Sequence, residues 1–159
     1  MHALIEIFHN RTLLLCVIAW FAAQLIKLAV ALCKEKKLDV GRLVFGLGGM
    51  PSSHSAVVCC LATTLGMREG FATPLFALAC MLAFIVMVDA AGVRLETGRQ
   101  AALLNQIVGE LIKNGRLRDQ KALKELIGHT PVQVIAGAVL GVLIAVIAGG
   151  AGANLERYS

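Results

Sequence analysis

Residues 131–152 read PVQVIAGAVLGVLIAVIAGGAG, a stretch that contains no charged side chain. As a helix rising 1.5 Å per residue it would be roughly 30 Å long, which matches the hydrocarbon core of a bilayer. The whole chain has a similar composition, because 58% of its 159 residues are hydrophobic and 16% are charged. Soluble domains carry about 45–50% apolar and about 25% charged residues. The sequence therefore describes an integral membrane protein.

Three further segments have the length and apolarity of membrane spans: residues 12–33, 52–67 and 71–93. The second is short and has His54 at its entry, so it crosses the bilayer only if it tilts little or begins earlier, near Leu43. The predicted fold is all-α, a polytopic bundle of about four transmembrane helices in a single integral membrane domain over residues 1–159. The spacing Gly137-x-x-x-Gly141 in the last span is typical of closely packed membrane helices.

The basic residues lie between the spans. Of 15 Lys and Arg, four fall in residues 34–42 and seven in residues 94–124. Apolar segments separate the two clusters, which excludes a continuous nucleic-acid-binding surface, so we predict a membrane and no nucleic acid as partner. Because cytoplasmic loops are enriched in Lys and Arg, we expect loops 34–51 and 94–129 to be cytoplasmic and both termini outside. A bacterial cell inner membrane is the simplest location for such a multi-pass protein.

The cysteines and acidic residues give no sign of a metal. The five cysteines, an odd number without CxxC spacing, lie within or at the end of apolar stretches: Cys16, Cys33, Cys59, Cys60 and Cys80. This pattern argues against a disulfide framework and a zinc site. The sequence also lacks an HExxH motif, a DxD motif and an acidic cluster. We predict no cofactor.

The long loop over residues 94–129 contains a different kind of helix. Leu104, Ile107, Val108 and Leu111 follow the i, i+3, i+4, i+7 spacing of an amphipathic helix. Asn114-Gly115 is expected to end it. We predict that this cytoplasmic helix lies on the membrane surface or covers the mouth of the bundle.

Unusual polar residues collect at one end of the predicted bundle. The segments 48–55 (GGMPSSHS) and 128–131 (GHTP) stand at the cytoplasmic starts of two spans, and 89–94 (DAAGVR) ends a third. Lys27 lies six residues before Cys33, about 9 Å from the cytoplasmic end of the first span. Segments far apart in sequence thus meet at one depth, which predicts a functional site there.

The residues at this depth are typical of anion recognition. Two helix N-termini, at Ser52-Ser53 and Thr130-Pro131, direct backbone N–H groups and positive dipole ends toward the same layer. Several basic side chains are candidate ligands by charge-assisted hydrogen bonds: Lys27, Arg94, Arg99, Lys121 and Lys124. We predict that the site binds a phosphate group.

Two histidines, His54 and His129, lie among these donors. One neutral imidazole can attack phosphorus to form a phosphohistidine, and the other, protonated, can give a proton to the leaving alkoxide. A side-chain pKa near neutrality allows histidine both states at working pH.

Three motifs carry a family resemblance. Gly48-Gly49-Met50-Pro51-Ser52-Ser53-His54-Ser55, Val88-Asp89-Ala90-Ala91-Gly92-Val93-Arg94 and Leu126-Ile127-Gly128-His129-Thr130-Pro131 resemble the divergent branch of the type 2 phosphatidic acid phosphatase superfamily. That branch is related to acid phosphatases and vanadium-dependent haloperoxidases. The resemblance covers roughly residues 20–150.

The resemblance implies roles for both histidines. His54 matches the general acid of the superfamily's Pro-Ser-Gly-His motif, and His129 matches its nucleophile. The superfamily's Asp that orients the nucleophile corresponds to Gln133, and its Ser-Arg pair corresponds to Ala122 and Leu123. We therefore expect Asp89 or Glu125 to replace the missing carboxylate, and Arg94, Lys124 or Lys27 to replace the missing phosphate ligands.

Some of these residues also have purely structural explanations. Lys27 could extend along its helix to the aqueous interface. Thr130 through Gln133 has the pattern of a capping box, with Thr at the N-cap and Gln at N3. Asp89, near the end of an apolar helix, needs a partner, and Arg94 is the nearest in sequence.

Two functions follow from the sequence. The first is a metal-independent membrane phosphatase that hydrolyses a phosphorylated lipid at the cytoplasmic face, with His129, His54 and Asp89 as catalytic residues. Its substrate-binding residues are Lys27, Ser52, Ser53, Arg94, Arg99 and Lys124. The second is a non-catalytic protein on the same fold that binds or transports a lipid phosphate. The ligand is a phosphorylated lipid or inorganic phosphate in either case, and both a monomer and a homodimer remain open.

Overall fold

A computed structural model describes residues 2–35, 49–115 and 129–156 of the chain. These residues form six helices and, within those ranges, no strand. The helices are α1 (His2–His9), α2 (Arg11–Glu35), α3 (Ser53–Glu69), α4 (Pro74–Ala91), α5 (Val93–Lys113) and α6 (Pro131–Glu156). The predicted all-α helical membrane bundle is confirmed.

Three stretches within the described residues are long and apolar enough to cross a membrane: Arg11–Cys33, Pro74–Lys113 and Pro131–Gly149. They coincide with α2, with α4 and its continuation α5, and with α6, where three of the spans were expected. The fourth expected span, residues 52–67, forms α3, which has 17 residues. At 1.5 Å per residue α3 is roughly 25 Å long, and it falls below the length of the other three.

Helix α3 lies at the centre of the bundle. It packs against α2, α4 and α6, and its contact with α6 is the most extensive in the structure. Helix α6 also touches α2 and α4, whereas α2 and α4 do not touch each other within the described residues. Because other helices surround α3, it can be shorter than a lipid-facing span and still be part of the bundle.

The contact between α3 and α6 depends on two glycines. A Cβ atom at Gly137 would overlap the carbonyl oxygen of Ser52, and one at Gly141 would overlap that of Ala56. Both overlaps are with backbone atoms, of the N-cap of α3 and of its first turn, which cannot rotate away as a side chain can. The predicted Gly137-x-x-x-Gly141 packing surface is therefore the surface that lets α6 approach α3.

Hydrogen bonds show which helix ends meet. At one end, the Arg68 guanidinium of α3 donates to the Thr12 hydroxyl of α2 at 3.1 Å. At the other end, the Lys27 ammonium of α2 donates to the Ser53 hydroxyl of α3 at 3.3 Å. Helices α2 and α3 are therefore antiparallel, and the start of α3 lies beside the last turns of α2.

Candidate functional site

Two backbone hydrogen bonds join the polar segments at this second end of the bundle. The Ser52 N–H, just before α3, donates to the Gln133 carbonyl in the first turn of α6 at 2.9 Å. The His129 N–H, just before α6, donates to the Ala90 carbonyl at the end of α4 at 3.2 Å. The segments that hold His54, Asp89 and His129 are thus fixed to one another through their main chains.

The two histidines lie close together but in different surroundings. Their ring centroids are 6.3 Å apart and the ring planes are inclined by 59°. His129 is 3% exposed, whereas His54, in the first turn of α3, is an exposed residue. One imidazole is therefore shielded by the bundle and the other is open to the surroundings. A small tetrahedral group placed between them would have one ring on each side.

Gln133 contacts His129 and caps α6 at the same time. The side-chain Oε1 of Gln133 accepts the Thr130 backbone N–H at 3.0 Å, and the Gln133 backbone N–H donates to the Thr130 hydroxyl at 3.4 Å. These two bonds form the predicted capping box. The same Oε1 lies 3.3 Å from Nδ1 of His129, so Gln133 is more than a helix cap.

This geometry assigns the tautomer of His129. A backbone N–H can only donate, so the Gln133 atom that faces Thr130 is the amide oxygen, which can only accept. In the neutral imidazole, Nδ1 of His129 must then carry the hydrogen that this oxygen accepts. The lone pair of the neutral ring is then on Nε2, and this lone pair is the one that a nucleophilic imidazole would use.

Lys27 is directed into the bundle rather than along α2 toward water. It is 8% exposed. Its ammonium donates to the Ser53 hydroxyl, and its aliphatic stem lies against Gly49, which has a φ of 90°. Within the described residues it forms no ion pair. A buried ammonium held by a neutral hydroxyl is costly in apolar surroundings, and an anion beside it would lower that cost.

The serines before and within α3 are also buried. Ser52 is the N-cap of α3: its hydroxyl accepts the Ser55 N–H at 3.4 Å and the Ser55 hydroxyl at 3.0 Å. Ser53 is in contact with Lys27, as described above. Ser55 is the last residue of the segment 48–55 and was not among the predicted ligands. The hydroxyls of Ser52, Ser53 and Ser55 together form a buried polar surface at the start of α3.

The other predicted site residues are Asp89, Arg94, Arg99, Lys121 and Lys124. Asp89 is half-buried and adjoins Ala90, whose carbonyl binds the His129 N–H. Arg94 is in the first turn of α5, four residues after Ala90. Arg99 is exposed on α5 and forms an ion pair with Glu96 at 2.6 Å. Lys121, Lys124 and Glu125 lie outside the described residues.

The structure therefore brings together five of the predicted residues: His54, His129, Ser52, Ser53 and Lys27. It adds Gln133 and Ser55 to them. Two helices, α3 and α6, begin at this centre, and helix N-termini favour anions through their free N–H groups and dipoles. Within the described ranges, no group of three or more His, Cys, Asp or Glu side chains is arranged to hold a metal ion.

The fold and the site define a helical membrane protein with a buried histidine, an exposed histidine and a buried lysine at one end of its bundle. Residues 8–144 match the sequence model of the Divergent PAP2 family. Because the match covers most of the chain, the protein belongs to this family, and the resemblance found from its motifs is confirmed.

One relative is similar over nearly its full length. The uncharacterized membrane protein YuiD of Bacillus subtilis (strain 168) is 38% identical over 152 residues, which cover 89% of this chain and 96% of the relative. No solved structure matches the chain. The comparisons therefore place the protein among the membrane proteins of the Divergent PAP2 family.

Proposed function

We propose that this protein is a membrane phosphatase that hydrolyses a phosphorylated lipid at the cytoplasmic face through a phosphohistidine intermediate, without a metal. The observation that supports this most strongly is the pairing of His129 with His54. His129 is buried with its Nδ1 beside the Gln133 amide oxygen, which leaves the lone pair of the neutral ring on Nε2, and the centroid of the His54 ring is 6.3 Å from that of His129.

The first chemical step would use both rings. Nε2 of His129 attacks phosphorus and forms an N–P bond while the P–O bond to the lipid alcohol breaks. His54, as an imidazolium, donates its proton to the leaving oxygen. The phosphorylated His129 ring is positively charged, and its Nδ1–H continues to donate to the Gln133 amide oxygen.

The second step would return the enzyme to its starting state. His54, now neutral, accepts a proton from water as the water oxygen attacks phosphorus. The N–P bond breaks, Nε2 of His129 regains its lone pair, and inorganic phosphate leaves. His54 ends the cycle protonated, as it began.

The phosphate oxygens would be held by donors at the start of α3. Lys27 supplies a positive charge that has no carboxylate partner within the described residues, and Ser53 lies beside it. Arg94 follows the end of α4 and is proposed as a second cation, with Arg99 and Lys124 as further ligands. Asp89, beside Ala90, is proposed to balance the charge of the histidine pair.

A lipid fits this position better than a soluble ester does. The site lies at one end of the bundle, so a headgroup could enter it while acyl chains remain in the bilayer. Ile85 and Val88 of α4 are exposed apolar side chains within two turns of Ala90. Acyl chains could therefore contact α4 next to the site.

The test is phosphate release by the purified protein in detergent, with a chelator present, across a panel of lipid phosphates and soluble phosphate esters. His54→Ala and His129→Ala should each abolish turnover. His9→Ala is the matched control, because His9 belongs to α1, which contacts α2 alone within the described residues, and it should leave the rate unchanged. An acid-labile phosphoprotein that accumulates in His54→Ala and is absent from His129→Ala would identify the nucleophile.

The amide side chain of Gln133 supports a second candidate function, in which the protein binds or transports a lipid phosphate without hydrolysing it. An amide stabilises a positively charged ring less than a carboxylate does. Saturable binding of a lipid phosphate without phosphate release, lost in Lys27→Met, would support this function and contradict the phosphatase.

A further inference from the structure

Helix α5 exposes an apolar surface. Leu104 is 48% exposed and Ile107 is 45% exposed. They belong to the stripe of Leu104, Ile107, Val108 and Leu111, which shares one side of the helix. Among the described helices, α5 contacts α4 alone, so it does not cover the mouth of the bundle formed by those residues.

We infer that α5 lies in the polar–apolar interface of the leaflet at the site's end of the bundle, with this stripe against acyl chains. Its partner is the lipid surface itself, and specifically an anionic one. This inference does not depend on whether the site hydrolyses phosphate.

The connection to α4 places α5 at the membrane boundary. The helical stretch Pro74–Lys113 has 40 residues, or roughly 60 Å at 1.5 Å per residue, which is about twice the hydrocarbon thickness. Helix α4 alone, with 18 residues, covers most of one thickness. The 21 residues of α5 must therefore either extend into water or lie along the surface.

Gly92 provides the break between the two helices. Its φ of −105° and ψ of −81° depart from helical values, so the helix is interrupted where it reaches the boundary. Ala90, two residues earlier, binds the His129 N–H, which fixes the start of α5 beside the site. A helix that continued into water would expose Leu104 and Ile107 there, whereas one in the interface would bury them in lipid.

Charge favours an anionic surface. Residues 94–124 contain seven Lys and Arg against three acidic residues, which are Glu96, Glu110 and Asp119. Clusters of Lys and Arg beside a membrane span are attracted to anionic headgroups. The polar side of α5 includes Gln106, which is exposed and lies opposite the stripe.

Tryptophan fluorescence of the full chain in vesicles tests this position. The protein has one Trp, so a Trp20→Phe background allows a single reporter to be placed at will. Ile107→Trp and Leu104→Trp report on the stripe, and Gln106→Trp is the matched control on the other side. The vesicles contain phosphatidylcholine, partly brominated, with and without phosphatidylglycerol.

We expect brominated lipid to quench Trp at 107 and 104 several-fold more than Trp at 106, and acrylamide to show the reverse order. Phosphatidylglycerol should increase the difference, and salt should reduce that increase. Equal acrylamide quenching at all three positions would show a helix in water and overturn the inference. Protection of Trp at 104 and 107 from both quenchers would also overturn the inference. Loss of that protection on dilution into excess lipid would then identify a second copy of the chain as the partner of the stripe.

Discussion

The amide oxygen of Gln133 lies 3.3 Å from Nδ1 of His129 and 3.0 Å from the Thr130 backbone nitrogen. One acceptor thus serves a helix cap and an imidazole. Because the backbone N–H fixes the amide oxygen in place, the His129 tautomer depends on a bond that also stabilises the start of α6. The two roles can be separated, since Thr130 contributes to the cap without contacting the imidazole through its hydroxyl.

Gln133→Ala should allow His129 to change its tautomer, whereas Thr130→Ala should leave the tautomer unchanged. Both variants lose a capping interaction and should be destabilised by about 1 kcal/mol. In ¹⁵N spectra of histidine-labelled protein, wild type and Thr130→Ala should show neutral His129 with the hydrogen on Nδ1. Gln133→Ala should shift toward Nε2–H, and its rate should fall more than that of Thr130→Ala. An unchanged tautomer in Gln133→Ala would contradict the assignment.

Gln133→Glu should move the pH dependence of turnover. A carboxylate beside Nδ1 favours the imidazolium over the neutral ring, and the nucleophile must be neutral to attack. The acid limb of the rate–pH profile, where the rate rises as His129 loses its proton, should therefore lie at higher pH than in wild type. The pH profile of kcat for Gln133→Glu, measured beside those of wild type and Thr130→Ala, checks this. An acid limb that stays in place, or moves equally in both variants, would argue against His129 as the nucleophile.

Gly137→Ala and Gly141→Ala should destabilise the bundle. The added methyl groups meet the backbone carbonyls of Ser52 and Ala56, so the helices must separate, at a cost of about 1–3 kcal/mol per site. Gly109→Ala is the matched control, because a Cβ atom there meets nothing within 4 Å. It should be neutral or slightly stabilising, since alanine favours helix over glycine. Unfolding in detergent measures all three, and equal stability would contradict the close contact of α3 and α6.

Hydrophobic patterning accounted for most of the fold. Residues 12–33, 71–93 and 131–152 contain the three long apolar stretches, and the Leu104 to Leu111 spacing predicted α5. Patterning could not show that α3 is the central helix. Its buried residues include Ala56, Ala62 and Thr64, which resemble any short membrane helix in sequence, and its central position results from contacts with three other helices.

The site was only partly visible in the sequence. The motifs at residues 48–55 and 126–131 identified His54 and His129, because rare polar residues at the ends of apolar segments stand out. They could not show which ring is buried, since that depends on how α4 and α6 meet at Ala90 and His129. Nor could they show that Arg99, a proposed phosphate ligand, forms an ion pair with Glu96.

Ser52→Ala should weaken both α3 and phosphate binding. It removes the N-cap hydroxyl and the partner of Ser55, at a cost of about 1 kcal/mol in stability. Thr73→Ala is the matched control, because the Thr73 hydroxyl caps α4 by accepting the Phe76 N–H at 3.3 Å, at the other end of the bundle from His129. We expect similar losses of stability in both and weaker binding of inorganic phosphate in Ser52→Ala alone, as measured by calorimetry. Equal binding in the two would remove Ser52 from the site.

Lys27→Met should separate stability from function most clearly. Replacing a buried charge with an apolar side chain of similar length removes a desolvation cost, so the variant should be as stable as wild type or more so. The same change removes a charge-assisted hydrogen bond to the phosphate, worth about 1.5–3 kcal/mol, or roughly 10- to 100-fold in affinity. Lys113→Met, at an exposed position on α5, is the control and should change neither quantity. Lys27→Arg should keep part of the binding, because the charge is retained. A Lys27→Met variant that binds phosphate as tightly as wild type but unfolds more easily would show that the lysine is structural.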